Sequence, residues 1–273
     1  AQWVTGKYWV NNHAHILRAK KNNLDKWIYF SLVHKNILNF INGGTRAKLN
    51  QSDLREIDIL LPPLLEQKKI ASILTSVDKV IENTQRQIDK LQDLKKSTMN
   101  ELLTKGIGHT EFKDSELGRI PKSWKVDKFE QFITLQRGHD LPSQSRLEGK
   151  VPIYGSNGIV GFHNQSVVKE TGVITGRSGS IGDVYFEVGH YWPLNTTLYV
   201  KNFHENDKEF TAYYLIYFNL KRFSSGTGVP TLNRNDVHIE VIKFPPIEEQ
   251  IEICNVLKSI DKQIENNERK TST

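Results

Sequence analysis

The sequence is poor in residues that could cross-link the chain or react covalently. Its 273 residues include a single cysteine, Cys254, so no disulfide can form within the chain. A chain without internal disulfides is typical of a reducing compartment, and we therefore expect a cytoplasmic location. Cys254 lies beside the apolar stripe of a predicted helix, where we expect it to pack rather than to react.

Membrane-targeting features are also missing. No apolar run approaches the roughly 20 residues that a membrane-spanning helix requires, and the first residues do not resemble a signal peptide. We therefore expect no membrane partner.

Patterns of catalytic residues are scarce as well. His13 and His15 are expected to alternate on a strand, but no cysteine or acidic residue stands at ligand spacing, so we expect no metal site. The triplet Glu111-Phe112-Lys113 has the pattern of some nucleases, yet no upstream acidic residue on a matching strand supports it. The sequence also lacks a glycine-rich methyl-donor loop and an activated nucleophile. We expect no catalytic residue and no cofactor bound by this chain.

What the chain does contain is enough apolar surface for a core and a mild basic excess. Hydrophobic residues make up 37% and aromatic residues 10% of the sequence, and the formal net charge is +6. Residues 1–62 carry 9 Lys and Arg against 4 Asp and Glu, whereas the rest is nearly balanced. Nucleic-acid binding would therefore have to come from local clustering of cations, because the overall charge is too small to indicate it.

An internal repeat organises the chain. When the sequence is shifted by 183 positions, its beginning aligns with its end without a gap, and Tyr8-Trp9 falls on Tyr191-Trp192. Between Pro62 and Arg86, 13 of 25 positions are identical to their counterparts. Such agreement in one register indicates two copies of one structural unit.

Each copy predicts the same order of elements. A Tyr-Trp strand is followed by a helix, over about 25–41 and about 208–223, and then by a glycine-rich turn. A short strand ends at Pro-Pro, and a long helix begins at once, because proline suits the first turn of a helix. The second copy contains further strand patterns at Val151-Pro-Ile-Tyr, Gly172-Val-Ile-Thr, Val184-Tyr-Phe and Leu198-Tyr-Val. The predicted fold class is therefore α+β, with mixed α/β globules joined to long helices.

The long helix, about 64–104, has apolar residues at alternating spacings of four and three, which is a heptad seam. The second copy repeats this seam, so we expect the two long helices to pack on each other. The residues predicted to make this packing are Ile70, Leu74, Val77, Ile81, Ile253, Leu257, Ile260 and Ile264.

The repeat is incomplete, because Ala1 corresponds to Val184 and the first copy has no counterpart of residues 106–183. We expect the natural protein to be longer, or the missing parts to come from elsewhere.

Two glycine motifs have two interpretations. Gly155-Ser-Asn-Gly158-Ile-Val-Gly161 and Gly176-Arg-Ser-Gly179-Ser-Ile-Gly182 match neither a dinucleotide fingerprint nor a P-loop. They can be tight turns of a sheet, or they can let a backbone approach a polyanion closely. Small polar residues at 195–197 and 224–231 allow the same two interpretations, plain loops or groove contacts.

These features resemble the specificity subunit of Type I restriction-modification systems. The resemblance is carried by Leu49-Asn50 to Glu66-Gln67, by Leu232-Asn233 to Glu249-Gln250, and by Gly118-Arg-Ile-Pro-Lys-Ser-Trp124. It implies target recognition domains that each read one half of a split DNA sequence, and antiparallel long helices that set the half-site spacing. Modification subunits, which bind S-adenosylmethionine and methylate adenine, would dock on the helices, and a restriction subunit would join. Self-association through the helices is a further expectation.

The implied domains are the C-terminal part of a first recognition domain (1–62), a spacer helix (63–105), a second recognition domain (106–246) and the start of a second spacer helix (247–273). The residues expected to contact double-stranded DNA are polar and basic residues of the glycine-rich and small-polar segments, basic residues of the second copy that would contact phosphates, and their basic equivalents in the first copy. They are Lys7, Arg46, Lys48, Arg137, Lys150, Lys169, Arg177, Ser178, Asn195, Thr196, Thr227 and Thr231. The alternative function is a coiled-coil assembly protein whose globules bind protein or carbohydrate, and the least favoured is a nuclease.

Overall fold

The fold was established from a computed structural model, which describes residues 1–41, 47–226 and 228–272. Its contacts divide the chain into unit 1, residues 1–87 with the last few residues of the chain, and unit 2, residues 88–269. The α-helices of the described residues are α1 (Asp25–Val33), α2 (Gln51–Arg55), α3 (Leu64–Lys105), α4 (Phe129–Phe132), α5 (Lys208–Phe218), α6 (Arg234–His238) and α7 (Ile247–Ser272). Short 3-10 helices cover Leu38–Phe40, Ser143–Ser145 and Leu220–Phe223.

The strands of the described residues all lie in unit 2. They are β1 (Phe112–Ser115), β2 (Gly118–Pro121), β3 (Lys125–Lys128), β4 (Thr134–Arg137), β5 (Val151–Gly155), β6 (Gly158–His163), β7 (Gly172–Gly176), β8 (Val184–Glu187), β9 (Trp192–Pro193), β10 (Thr197–Asn202), β11 (Ser224–Ser225), β12 (Thr231–Leu232) and β13 (Val241–Phe244). An antiparallel sheet has the order β4-β10-β7-β8, and a second sheet has the order β6-β5-β9 with β5 and β9 parallel. The remaining strands pair as β1-β2, β13-β3 and β11-β12. All four strand patterns noted in the second copy are confirmed.

The prediction of strands in the first copy is wrong, because these strands do not form in unit 1. No strand forms at Tyr8-Trp9, at His13–His15 or before Pro62, and none occurs anywhere among the described residues of unit 1. In unit 2 the counterparts, β9 and β13, pair with β5 and β3. Those partner strands have no counterpart between residues 1 and 61, and a strand without a partner leaves its backbone groups unpaired.

The predicted helices after the Tyr-Trp segments are shorter than expected. In unit 1 the helix ends at Val33 and a 3-10 helix follows at Leu38–Phe40. In unit 2, α5 ends at Phe218 because Asn219 takes a left-handed backbone conformation (φ 55°), after which a 3-10 helix begins. The long helix is confirmed, since α3 begins at Leu64, directly after Pro62-Pro63, and runs 42 residues. At 1.5 Å per residue it is about 60 Å long.

The core of unit 2 lies between the four-stranded sheet, α5 and the beginning of α7. Phe129, Leu135, Phe210 and Phe244 are all within 1% of full burial. Phe132 stacks on Phe244 with ring centroids 4.8 Å apart. Cys254 belongs to this core, and burial raises the pKa of its thiol well above the ordinary range. It is therefore a packing residue with little thiolate.

In unit 2 the C-terminal half of α3 packs against α7. Along α3, Ile88 and Leu91 pack with Ile260 and Ile264, whereas Met99 and Leu103 share the main core with Ile253 and Leu257. Residues nearer the C-terminus of α3 therefore contact residues nearer the N-terminus of α7, so the two helices are antiparallel. The Lys95 ammonium lies 2.6 Å from the Asp261 carboxylate between these two contact regions.

A buried carboxylate fixes the segment that follows α3 to the start of α7. Glu249 Oε1 accepts a hydrogen bond from the Ile107 backbone N–H (3.0 Å) and lies 2.7 Å from His109 Nε2. Its other oxygen accepts from the Trp124 indole N–H at 2.9 Å. Gly106 (φ 72°) makes this approach possible, because a Cβ there would stand 2.2 Å from Glu249 Oε1.

Candidate nucleic-acid interface

One edge of the four-stranded sheet gathers three chain segments. In the strand register, Leu198 of β10 faces Arg137 of β4, and Thr197 of β10 faces Gly176 of β7. Because neighbouring strands are antiparallel, β4 and β7 end where β10 begins. The loops after β4, after β7 and before β10 therefore leave the sheet at the same edge.

Backbone hydrogen bonds hold these loops together. The N–H groups of Arg177 and Ser178 both donate to the Thr196 carbonyl, at 2.9 and 3.1 Å. The Gly138 N–H donates to the Thr197 carbonyl at 3.1 Å. The loops are thus joined by main-chain contacts rather than by side chains alone.

The hairpin β11-β12 adds a fourth segment to this edge. The Gly179 N–H donates to the Pro230 carbonyl (3.1 Å), and the Leu232 N–H donates to the Arg177 carbonyl (2.8 Å). Ser178 also forms a β-bridge with Thr231. We call residues 138–140, 177–182, 194–196 and 228–231 the loop face.

The loop face brings together five of the predicted DNA-contacting residues from three distant parts of the sequence. Arg177, Ser178, Asn195, Thr196 and Thr231 all lie on it, and each is half-buried, so its backbone is supported while part of its side chain reaches solvent. Their contact with DNA stays a prediction.

Arg137 lies at the end of β4, next to the loop face, and is exposed. Neither Arg137 nor Arg177 forms an ion pair with a described residue, although the Arg177 guanidinium donates to the Asn195 carbonyl at 3.4 Å. Lys221, beside Gly182, is instead paired with Asp183 at 3.4 Å. The two arginines therefore keep cationic groups available at this edge for an anionic ligand.

Lys150 and Lys169 are exposed but lie at the other ends of their strands. Lys150 precedes β5, whose far end turns at Ser156 beside Gly176. Lys169 precedes the start of β7, whereas Arg177 follows its end. The structure therefore does not bring these two lysines to the loop face, and their phosphate contacts stay a prediction.

The predicted residues of unit 1 form a sparser set. Lys7 and Lys48 are both exposed. The His15 ring lies 2.9 Å from the Leu49 carbonyl, so the segment that contains His15 contacts the segment that contains Leu49. Arg46 lies outside the described residues, as does Thr227 in the second copy.

The glycine motifs are explained by tight backbone packing. Gly155 and Gly158 face each other at the turn between β5 and β6, as a sheet turn requires. A Cβ on Gly176 would stand 1.7 Å from the Ser180 carbonyl oxygen and 2.7 Å from that of Ser156. This supports the interpretation of both motifs as turns, and it places the second motif on the loop face.

The Glu111-Phe112-Lys113 pattern, considered above for nuclease chemistry, contributes to a surface ion pair. The exposed side chains of Glu111, just before β1, and Lys122, just after β2, pair at 3.0 Å. Across the described ranges, no group of three or more His, Cys, Asp or Glu side chains is placed to hold a metal ion. No helix within those ranges is long and apolar enough to span a membrane.

Comparison with known proteins identifies the family. The model of the Type I restriction modification DNA specificity domain matches residues 2–93 and 121–273. These two segments make up most of the chain, and each falls on one copy of the repeat. The chain belongs to the Type I restriction-modification specificity family.

Individual specificity subunits agree with this assignment. The chain is 31% identical over 274 residues to the putative type I restriction enzyme MjaX specificity subunit of Methanocaldococcus jannaschii, covering 92% of this chain and 64% of that protein. It is 28% identical over 298 residues to the MjaVIII specificity subunit of the same organism, covering 95% and 69%. The chain therefore spans about two thirds of the length of these relatives.

Two solved structures share the specificity-subunit fold. The S subunit of a type I restriction-modification system from M. genitalium superposes with a TM-score of 0.64 at 18% identity, covering 93% of this chain and 70% of that one. The HsdS subunit of Thermoanaerobacter tengcongensis gives a TM-score of 0.54 at 17% identity, covering 89% and 64%. The predicted fold class, a mixed helix-and-sheet fold with a long helix and an internal repeat, is confirmed.

The predicted helix-packing residues differ between the two units. Ile253, Leu257, Ile260 and Ile264 of α7 are buried, with at most 9% exposure, in the contacts with α3 described above. In unit 1, Ile70 and Leu74 are half-buried, and Val77 and Ile81 are 49% and 48% exposed. A packing role for Val77 and Ile81 stays a prediction.

Sequence reasoning missed two residues at this edge of the sheet, Asp140 and Arg234. The Asn195 amide donates to the Asp140 carboxylate, and the Arg234 guanidinium donates to the Leu135 carbonyl and to Gln136 Oε1 at 3.4 and 3.3 Å. Asp140 and Asn195 are 55 residues apart in the sequence. No local pattern could have paired them, because their contact depends on the register of β4 with β10.

Proposed function

We propose that this chain is the DNA-reading part of a Type I restriction-modification specificity subunit, and that the loop face of unit 2 contacts one half of a bipartite duplex target. The observation that supports this most is the convergence of five polar or basic residues of the loop face at one sheet edge. Unit 1 would contribute to the other half-site through Lys7, Arg46 and Lys48.

The chemistry of the loop face suits a DNA groove. Arginine can donate two parallel hydrogen bonds to guanine, and small hydroxyl and amide groups can donate to or accept from base edges. Arg137, together with Lys150 and Lys169 further away, would contact phosphates and set the orientation of unit 2. The glycines let the backbone come close to the duplex without side-chain bulk.

The helices would serve assembly and spacing. Val77, Val80 and Ile81 present apolar side chains that are 48–62% exposed on the part of α3 that belongs to unit 1. Such a surface suits the docking of modification subunits or self-association of the chain. In this proposal the chain is not catalytic and binds no cofactor. S-adenosylmethionine belongs to the modification subunits, a restriction subunit completes the cytoplasmic complex, and antiparallel helices set the half-site separation.

The proposal is tested by selecting bound sequences from a random duplex library, with modification subunits present. We expect enrichment of a defined sequence motif and binding that weakens steeply with salt, because phosphate contacts release counterions. Absence of any retardation of random-sequence DNA at micromolar protein and low salt would contradict DNA reading. That result would instead favour the coiled-coil assembly protein with protein- or carbohydrate-binding globules, to which the exposed face of α3 is also suited.

A further inference from the structure

A buried glutamine at the start of each long helix makes the same three hydrogen bonds in both units. In unit 2, Gln250 Oε1 accepts from the Asp207 backbone N–H at 2.8 Å. Its Nε2 donates to Asn206 Oδ1 at 2.7 Å and to the Pro245 carbonyl at 2.9 Å. Gln250 is 1% exposed, so these bonds are shielded from water.

Gln67 reproduces this arrangement in unit 1, at positions that are each 183 residues earlier. Its Oε1 accepts from the Leu24 N–H at 2.9 Å, and its Nε2 donates to Asn23 Oδ1 at 3.0 Å and to the Pro62 carbonyl at 2.8 Å. Gln67 is also 1% exposed. We call Gln67 with Asn23, and Gln250 with Asn206, the glutamine latches.

Each latch joins a long helix to the turn before a helix of its globule. Leu24 and Asp207 are the N-terminal caps of α1 and α5. Both turns contain a left-handed residue at the matching position, Asn22 (φ 72°) and Glu205 (φ 69°), and in unit 2 this residue follows a second left-handed one, His204 (φ 47°). The copies thus share the left-handed residue directly before the latch asparagine, and the asparagine N–H donates to the carbonyl three residues earlier in both, Lys20 (3.1 Å) and Phe203 (2.9 Å).

The residues around the latches are less constant than the latches themselves. Two turns further along the long helix, Lys258 pairs with Glu209 at 2.7 Å in unit 2. In unit 1 the counterparts are Thr75 and Lys26, which are joined by a hydrogen bond of 3.3 Å. An ion pair in one copy is thus replaced by a neutral acceptor in the other, while the glutamine and its three bonds are unchanged.

In unit 2 the latch and the loop face lie at opposite ends of β10. That strand runs from Thr197, at the loop face, to Asn202, and the latch turn follows it. Six residues of strand correspond to a lever of roughly 20 Å. A rotation of about 10° at the latch would therefore move the loop face by roughly 3.5 Å, close to one base-pair step.

We propose that Gln250 and Gln67 are positioning residues that set the angle between each recognition globule and its long helix, in unit 2 together with the core contacts of Ile253 and Leu257, and thereby tune the half-site separation. The effect on separation rests on the proposed function, but the effect on the angle does not. The glutamine acts without touching DNA, through the turn that carries α5 or α1.

The angle is tested without DNA by spin-label distance measurements within unit 2. Labels are placed at Ser180→Cys on the loop face and at Glu252→Cys on α7, both of which are exposed. The background carries Cys254→Ala, since alanine stands at the matching position 71. For Gln250→Ala we expect the distance distribution to shift or broaden by about 3 Å or more in a protein that stays folded. The control Gln263→Ala, an exposed glutamine on the same helix, leaves the distribution unchanged.

The separation is tested with the modification complex on duplexes that carry the selected half-sites at varied spacings. We expect Gln250→Ala and Gln67→Ala to bind several spacings within about threefold of one another, where the unsubstituted complex prefers one. Gln250→Glu should behave likewise, because a carboxylate cannot donate to Asn206 and Pro245. An unchanged distance distribution in folded Gln250→Ala overturns the latch, even if no DNA is bound. An altered distribution with an unchanged spacing preference overturns its role in half-site separation.

Discussion

Arg177 is the residue on which DNA binding by the loop face should depend most. It is half-buried, its backbone is held on both sides by Thr196 and Leu232, and its guanidinium makes no ion pair with a described residue. If it reads a base, Arg177→Ala should cost about 1–3 kcal/mol at one base pair. If it contacts a phosphate, the loss should be uniform across sequences and the salt slope should fall by about 1. Titrations of DNA at several salt concentrations distinguish the two cases. The control is Arg119→Ala, at an exposed arginine. Equal affinities of Arg177→Ala and the unsubstituted chain would show that Arg177 does not contact DNA.

Gly176 should tolerate no side chain. A Cβ there would stand 1.7 Å from a backbone oxygen, so Gly176→Ala must displace the loop that carries Arg177. We expect a loss of at least about 2 kcal/mol in the free energy of unfolding, measured with urea. Gly228→Ala, where a Cβ meets nothing within 4 Å, should change stability by less than about 0.5 kcal/mol. Equal free energies of unfolding for the two variants would contradict the close approach of the Ser180 carbonyl to Gly176.

His238 should make stability depend on pH. Burial lowers the pKa of this imidazole below its ordinary 6.5, and Nε2 accepts a hydrogen bond from the Leu135 N–H at 2.9 Å, which requires the neutral ring. As the pH falls below about 6.5, the unfolded chain takes up a proton that the folded chain resists, so the free energy of unfolding decreases. His238→Gln should reduce this slope between pH 7 and pH 5. A slope unaltered by His238→Gln would contradict the assignment of a neutral buried ring.

The residues of the loop face were predictable only in part. Ser178, Thr196 and Thr231 could be predicted because small polar residues beside glycines are typical of groove contacts. Asp140 could not, because its contact with Asn195 arises from strand pairing between distant segments. Lys169 was grouped with these residues by charge alone, and charge does not tell at which end of a strand a lysine lies.

At the scale of elements, one charged contact, Lys95 with Asp261, lies between the two apolar contact regions of α3 and α7. Lys95 and Asp261 are 25% and 28% exposed, and Asp261 also accepts from the Tyr213 hydroxyl at 2.7 Å. We expect Lys95→Glu and Asp261→Lys each to lower the free energy of unfolding, and the double reversal to recover about 1 kcal/mol of the sum. Lys96→Glu, on the exposed side of α3, is the matched control. Strict additivity of the two reversals would mean that the pair does not couple the helices.

Helix starts were more predictable than strands. The beginning of α3 and α7 follows from Pro-Pro, a local signal that needs no distant partner. The strand expected at Tyr8-Trp9 does not form, because a strand also needs a hydrogen-bonded neighbouring strand. Its counterpart β9 in unit 2 has such a neighbour in β5. The antiparallel contact of α3 and α7 followed from the heptad seam together with the family resemblance.

At the scale of the whole molecule, the two copies of the repeat differ in how far their matching apolar and aromatic side chains are shielded from solvent. Tyr8 is 46% and Leu61 is 56% exposed in unit 1, whereas their counterparts Tyr191 and Phe244 are 0% and 1% exposed. In unit 2 these side chains are covered by segments before β8 that have no counterpart between residues 1 and 61. DNA reading by the described chain is therefore best tested on unit 2.

The most direct test of the central claim is to cross-link the chain to its selected duplex and to map the attached peptides by mass spectrometry. We predict that the cross-links of unit 2 concentrate on the loop face, at residues 138–140, 177–182, 194–196 and 228–231. We also predict that excess unlabelled duplex of the same sequence suppresses them. Cross-links confined to the β1-β2 hairpin or to the other ends of β5 and β7, with none on the loop face, would contradict the account.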